Sequence, residues 1–202
     1  MSVNLQKGQK VDLTKGGTGL QHVMIGLGWD EASKGAYFTR TEDIDCDAIA
    51  FLLDSSGQIA SRDDVVYFNN LNHSSGCVIH QGDNLTGAGE GDDEQIMVDL
   101  SRLPSRYDRI VVLVSIYKAT DRQQHFGMIR NAFIRLVNAD NGQELCIYNL
   151  SENYEGIPAM VFGELYRRGG EWKFNAVGQP VRVWSVAQLA ERYGLPRSVW
   201  KN

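Results

Sequence analysis

The sequence predicts a mainly β protein, a β-sandwich of about ten strands with a short C-terminal helix. Three observations carry this reading. Apolar and polar residues alternate at period two in segment after segment, other short segments are apolar on both faces, and Gly-, Asn- and Ser-rich turn signals separate them.

In chain order, Val23, Ile25, Leu27 and Trp29 place one face of the first long strand in a core. Ala48 to Leu53 and Val65 to Phe68 are apolar throughout, as expected of strands covered on both sides. Ile96, Val98 and Leu100 alternate again, Ile110 to Ile116 and Ala132 to Val137 read as two-sided strands, and Leu145 with Ile147 and Trp172 with Phe174 complete the set. Turns fall at Ser55-Ser56-Gly57, at 72–76 and at Asp140-Asn141-Gly142, where Asn-Gly predicts the positive φ angles of a tight hairpin. Near the end, Ser185 and Gln188 form a capping box, Trp184 and Leu189 occupy the staple positions, and Gly194 followed by Pro196 stops the helix after Tyr193. A weaker helical turn is expected from Thr120 to His125.

The 202 residues, 43% of them hydrophobic, suffice for one substantial core. No linker or repeat divides them, so the expectation is a single domain over 1–202 with a helix-bearing tail at 181–202. No apolar run approaches the roughly 20 residues of a spanning helix, and the first residues lack the apolar stretch of a signal peptide. A cytoplasmic protein without membrane insertion is expected. Cys46, Cys77 and Cys146 are odd in number and far apart, which fits reduced core thiols better than a disulfide framework. The net charge of -5 conceals an asymmetry: residues 1–101 hold 16 acids against 6 bases, residues 102–202 hold 9 against 14. With no basic run, nucleic acid is excluded as the main partner, and the acids call for a cation.

Those acids concentrate between Asp83 and Glu94, where five carboxylates stand without a base. Such neighbours repel one another, and a bound cation relieves the repulsion. Ca²⁺ matches best, because it takes about six to eight hard oxygen ligands in flexible geometry. Asp83, Asp92, Asp93 and Glu94 offer carboxylates, Asn84 an amide, Thr86 a hydroxyl, and Gly87 and Gly89 accessible carbonyls in a chain that bends freely. The alternative is a solvated acidic hairpin tip. An EF-hand is rejected, since Leu85 and Ala88 occupy its third and sixth positions. A phosphate loop is rejected as well, since Glu90 and the acids that follow repel phosphate. A second acidic group, Asp30 with Asp43, Asp45 and Asp47, supports the ion reading; on an extended chain the last three point the same way and serve a second ion, share the first, or simply solvate strand ends.

Several segments together resemble the bacterial tellurium-resistance TerD family, in the family's order: Gly26-Leu27-Gly28-Trp29-Asp30, Asp43-Ile44-Asp45, Gly82-Asp83-Asn84-Leu85-Thr86-Gly87 with Gly91-Asp92-Asp93-Glu94, Asn131 to Val137, and Phe162-Gly163-Glu164-Leu165-Tyr166-Arg167-Arg168. The likeness runs over roughly residues 2–180. It implies a Ca²⁺-binding β-sandwich associated with resistance to tellurite and other chemical or phage stress. It also implies partner proteins, among them membrane and cytosolic members of a stress-resistance assembly. Departures fall in the loop Glu31 to Glu42, at Cys46 and Ala88, and after Gln179, where Val181 to Tyr193 is expected to form the helix. The expected function is therefore a calcium-binding sensor or docking module, with one or two ions held by the acids named above and by Asp30 and Asp45. An ion-independent scaffold is the runner-up and a metal-dependent hydrolase the third reading.

Other chemistry finds little support. His22, His73, His80 and His125 show no zinc spacing, and His80 is expected to face outward from its strand. There is no G-x-S-x-G elbow, so no enzyme is expected. The cysteines, tempting as reductants of an oxyanion, sit in apolar strands without a resolving partner. Tyr166 to Arg168 with Trp172 and Lys173 reads as a hairpin turning at Gly169-Gly170, in preference to an interaction surface.

Overall fold

A computed structural model describes residues 2–14, 19–31, 43–82, 91–150, 152 and 154–200. Among the described residues, twelve strands form two six-stranded sheets that face each other. One sheet has the order β1 (Val3–Leu5), β10 (Gln143–Asn149), β9 (Ile129–Asn138), β3 (His22–Glu31), β7 (Glu94–Asp99), β6 (Val78–His80). The other has the order β2 (Lys10–Asp12), β12 (Glu171–Val181), β11 (Ala159–Arg168), β8 (Arg109–Ile116), β4 (Cys46–Leu53), β5 (Val65–Val66). All pairings are antiparallel except that β1 runs parallel to β10. The strands beyond the expected ten are short N-terminal pieces, β1 and β2, too brief to show a period.

The pattern in β3 is realised as read: Val23, Ile25, Leu27 and Trp29 are buried between the sheets, against Ile96 and Val98 of β7 and Ile134 and Leu136 of β9. In β4 every residue is buried, and alternation splits it between two cores. Cys46, Ala48, Ala50 and Leu52 enter the core between the sheets, while Ile49, Phe51 and Leu53 enter a second cluster on the outer face. The C-terminal segment is what covers that outer face. Leu189 is fully buried there with Ala190 and Leu195, and its burial stabilises by about 1.5–3 kcal/mol. β8 is likewise buried on both faces, whereas in β9 Phe133 and Arg135, on the face turned away from the core, remain partly exposed.

The helix itself is α2 (Val186–Glu191), shorter than expected at both ends; Val181 belongs to β12. Ser185 Oγ accepts from Gln188 N–H at 3.3 Å, while the Gln188 side chain reaches the N–H of Trp184 rather than that of Ser185. Trp184 is 50% exposed at its staple position. Gly194, at φ +88°, ends the turn that follows α2. The expected turn after β8 appears one residue early, as α1 (Ala119–Arg122). Gly169 and Gly170 both take positive φ and make the two-residue hairpin between β11 and β12. The Asn141-Gly142 connection is a four-residue loop instead, in which only Gly142 has positive φ, closed by Gly142 N–H on the Asn138 carbonyl at 2.8 Å.

Candidate metal centre

Five of the residues expected to hold an ion, Asp83, Asn84, Thr86, Gly87 and Gly89, lie outside the described residues. Asp92, Asp93, Glu94, Asp30 and Asp45 are described. Their positions are set by β7 returning beside β3. Asp93 N–H donates to the Leu27 carbonyl at 2.7 Å, and Asp93 Oδ2 accepts from Trp29 N–H at 2.8 Å. That brings Asp93 next to Asp30, whose carboxylate accepts from Asn131 Nδ2 at 2.7 Å. Asn131 stands in the left-handed region at φ +51°, a conformation asparagine tolerates better than most side chains. A cavity of about 590 Å³ opens here, lined by Trp29, Asp30, Gly91, Asp93, Asn131 and Phe133 among others. Burial lifts the Asp93 carboxyl above the usual carboxylate range, and the charges of Asp30 and Asp92 lift it further, against the Trp29 N–H. Among the described residues, charge repulsion from Asp30 and Asp92 thus adds to the larger effect of burial at Asp93.

Glu94 and Asp45 do not line that cavity; with Asp93 they surround Cys46. Glu94, fully buried, reaches across the sandwich and accepts the Ala48 N–H of β4, which the short β5 leaves without a strand partner. Trp29 Nε1 donates to the Ile44 carbonyl at 3.2 Å and so ties the end of β3 to the segment entering β4, where Asp45 and Asp47 are both buried. Burial raises the Cys46 thiol well above its ordinary value, and the charges of Asp47, Glu94, Asp45 and Asp93 raise it further. Cys46 therefore stays a protonated thiol surrounded by carboxylates. Asp43 is exposed.

His80 does not face outward as expected. It is 3% exposed, with Nδ1 accepting the Gly82 N–H at 3.2 Å and Nε2 at 3.4 Å from Glu94 Oε2. The backbone donor assigns the neutral ring's proton to Nε2, which then faces the Glu94 carboxylate. Polar alternation misled here because β6, the edge strand that faces β5 across the sandwich, turns His80 inward with Val78.

Asp92 takes a role the sequence did not announce. Its side chain is fully buried on the outer face of its sheet, paired with Arg135 through Nε to Oδ1 at 2.7 Å and Nη2 to Oδ2 at 3.0 Å, and Gln95 Nε2 donates to Oδ2 at 3.0 Å. Arg135 also reaches Glu144 at 3.4 Å. Glycine at position 26 makes this possible, because a Cβ there would lie 2.3 Å from Asp92 Cγ. Gly28 does the same for the next turn of chain: its Cβ would meet the Gly91 carbonyl oxygen at 2.8 Å and the Phe133 ring at 2.4 Å. The Gly-x-Gly of β3 is the bed on which the acidic limb lies.

A second group went unread in the sequence. Asp63, Asp64 and His73 present ligand atoms within 4.8 Å of one another. His73 Nδ1 accepts the Ser75 N–H at 3.1 Å, which assigns the ring proton to Nε2, facing Tyr107 Oη at 3.0 Å and Asp64 Oδ1 at 3.3 Å. Tyr107 in turn donates to Asp64. With no lone pair turned toward the acids, the imidazole closes a hydrogen-bond network that pins the 61–76 loop to the sandwich. No local spacing joins positions 64, 73 and 107, so no motif could have announced it.

Asp99, at the end of β7, and Asp64 both contribute acid sensitivity. Burial alone would raise Asp99, but the Ser101 hydroxyl at 2.7 Å and Arg102 Nε at 2.6 Å outweigh it and bring the carboxyl down to about 2. Asp64 is also held below the usual range, since Tyr107, Ser61 and His73 overcome the effect of burial. A carboxyl depressed on folding contributes stability that is complete above the unfolded pKa and is lost as pH falls through the folded one. Urea midpoints should therefore fall between about pH 4 and pH 2. Asp99→Asn should flatten that limb, and an unchanged acid limb in the variant would contradict the assignment.

Fold and site define a two-sheet β-sandwich with its acids gathered at one end, on a Gly-x-Gly strand. The family model of the TerD domain matches residues 1–193, and the chain belongs to the TerD family of tellurium-resistance and stress-response proteins. The tellurium resistance protein TerD of Serratia marcescens is 46% identical over 198 residues, covering 98% of this chain and 100% of that one. Stress response protein SCP2 of Bacillus subtilis (strain 168) is 45% identical over 199 residues, covering 96% and 100%. The crystal structure of a homologue of telluride resistance protein (TerD) from Streptomyces coelicolor A3(2) has a TM-score of 0.66 at 22% identity, over 88% of this chain and 99% of that one, and shows the same fold. No helix among the described residues is long and apolar enough to cross a membrane.

Proposed function

We propose that the acidic end binds Ca²⁺ and that the protein works without catalysis, as a calcium-responsive docking module for other proteins of a cytoplasmic stress-resistance assembly, membrane-associated members included. The observation that carries this reading is the gathering of Asp30, Asp93, Glu94 and Asp45 in a fold that lifts the Asp93 carboxyl instead of relieving it. A hard, oxygen-seeking cation relieves it. The donors fit: the carboxylates are oxygen ligands, the Cys46 thiol stays protonated, and the His80 proton sits on the nitrogen facing Glu94. Asp93, Glu94, Asp30 and Asp45 are the ligands assigned here, with Asp83, Asn84, Thr86 and the carbonyls of Gly87 and Gly89 completing one or two shells. Asp92, engaged by Arg135, positions the limb.

Calorimetric titration of chelator-stripped protein tests this directly. One or two Ca²⁺ ions should bind per chain, Asp93→Asn should weaken them by at least about tenfold, roughly 1.4 kcal/mol, and Zn²⁺ should displace them poorly. A flat isotherm would leave the ion-independent scaffold. Stoichiometric displacement by Zn²⁺ would show that thiolate or imidazole belongs to the ligand set.

A further inference from the structure

A second cavity, of about 420 Å³, lies on the other side of β4, between the end of one sheet and the C-terminal segment. Tyr67, Phe68, Tyr117, Trp184 and Trp200 line it. Trp200 belongs to the 3-10 turn Arg197–Trp200, past the end of the family match at residue 193, and packs edge-on against Tyr67 with centroids 5.9 Å apart. The polar lining is acidic and hydroxylic: Asp47, Ser115, Thr120, Asp121 and Ser185, with Lys118 as the sole base among the described lining residues.

Alternation fixes what faces this space. Cys46 and Ala48 point into the core between the sheets, and Ile49 points to the outer cluster, so Asp47 shares the outer face. Ser115 is its direct neighbour across the β4–β8 pairing and shares that face, since Val114 and Ile116 point inward and Leu113 outward. A 4% exposed carboxylate beside a hydroxyl thus lies on the floor of an aromatic-walled cavity. The turn at the rim, α1, is flanked by Lys118 and Gln123, both in left-handed φ at +49° and +55°.

We propose that this cavity is a binding site for a small organic cation, an alkyl- or arylalkyl-ammonium. Buried carboxylate and aromatic wall together are the chemistry that selects such ions, the acid through charge and the rings through their negative faces. The chain's own cations already use the outer rings in this way: Lys118 Nζ and Arg122 Cζ each lie 5.3 Å from the Tyr117 centroid, and Arg62 Cζ lies 5.0 Å from that of Trp200. Trp184 carries no such cation among the described residues and is 50% exposed at the mouth. The volume suits a small molecule, within the roughly 300–1,000 Å³ of ligand pockets. Asp47 is two residues from the proposed calcium ligand Asp45, but it opens on the outer face of β4, and the proposal does not rest on the calcium reading.

The test is titration of the full chain, in EDTA, with phenethylammonium and with its neutral analogue 2-phenylethanol, read by tryptophan fluorescence and by NMR. The ammonium should bind saturably and the alcohol at least tenfold more weakly. Asp47→Asn should remove most of that preference. Trp184→Ala, which alters a half-exposed side chain and leaves the core intact, should weaken the ammonium several-fold. Equal binding of ammonium and alcohol, unchanged affinity in both variants, or no saturable signal at millimolar ammonium would each overturn the proposal. So would binding of a lysine-rich peptide without binding of the free amine, since the partner would then be a protein.

Discussion

Alanine at Gly28 should weaken Ca²⁺ by at least about tenfold while leaving the two sheets folded. The reason is one of space. Gly28 lies in β3 with an ordinary strand backbone, so the added methyl brings no φ strain; it brings contact with the Gly91 carbonyl oxygen at 2.8 Å and with the Phe133 ring at 2.4 Å. The ring can turn, but the carbonyl belongs to the limb that carries Asp92, Asp93 and Glu94. Relief therefore lifts that limb from β3 and strains the Asp93 N–H bond to Leu27, which sets Asp93 beside Asp30. Gly26→Ala should act in the same direction through the Asp92 carboxyl, 2.3 Å from its new Cβ. Arg135→Gln should act from the other side, leaving a fully buried Asp92 without its bidentate partner, a loss that costs about 3–5 kcal/mol where a pair is wholly buried and less here, with Arg135 31% exposed. Calorimetry measures the affinities, and slowed or quickened exchange of the Asp93 amide shows whether the limb has moved. Wild-type affinity in Gly28→Ala would mean that the described limb does not place ligands.

How far the sequence announced this arrangement depends on the range of the interactions. The strand pattern of β3, the two-sided burial of β4 and β8, the Ser185 cap and the Gly169-Gly170 turn were legible, because each follows from residues within a few positions of one another. Gathering Asp93 with Asp30, and Glu94 with the entry of β4, was legible as charge needing relief, although proximity itself came from sheet order. What stayed hidden was set by pairing across distance. Arg135 reads as one more polar residue in a strand until β9 and β7 are seen to flank β3, which puts it over Asp92. His80 reads as an outward polar residue until β6 is placed against β5 and beside β7, which brings Glu94 to it. The His73, Asp64 and Tyr107 network has the same origin, its acid and its phenol standing 43 positions apart. In the Gly26-Leu27-Gly28 segment the sequence showed two small residues, and only the sandwich shows what lies on them.

Removing the ion should lower the melting temperature without unfolding the chain. If the carboxylates of the limb are gathered only in the native state, Ca²⁺ binds that state alone and adds about 2.7 kcal/mol per site at a free concentration one hundred times its dissociation constant. For a chain of 202 residues that corresponds to a shift of roughly 5–10 °C for one ion. Loss of the ion returns the repulsion to Asp93, which burial, Asp30 and Asp92 already hold above the usual carboxylate range. Much of both cores lies away from the limb: Ile110 to Ile116 in β8, Phe162 in β11 and Leu189 in α2 are buried without any ion. The loosening should accordingly be local, spreading from the limb through the Trp29 N–H and the Ala48 N–H, the two backbone donors bound to Asp93 and Glu94. Hydrogen exchange with and without Ca²⁺ distinguishes the outcomes. Protection confined to residues 83–94 and to 29–48 makes the ion a switch for partners that dock at this end. Uniform change across all strands makes it a structural ion, and no change together with an unshifted melting temperature removes calcium from the account.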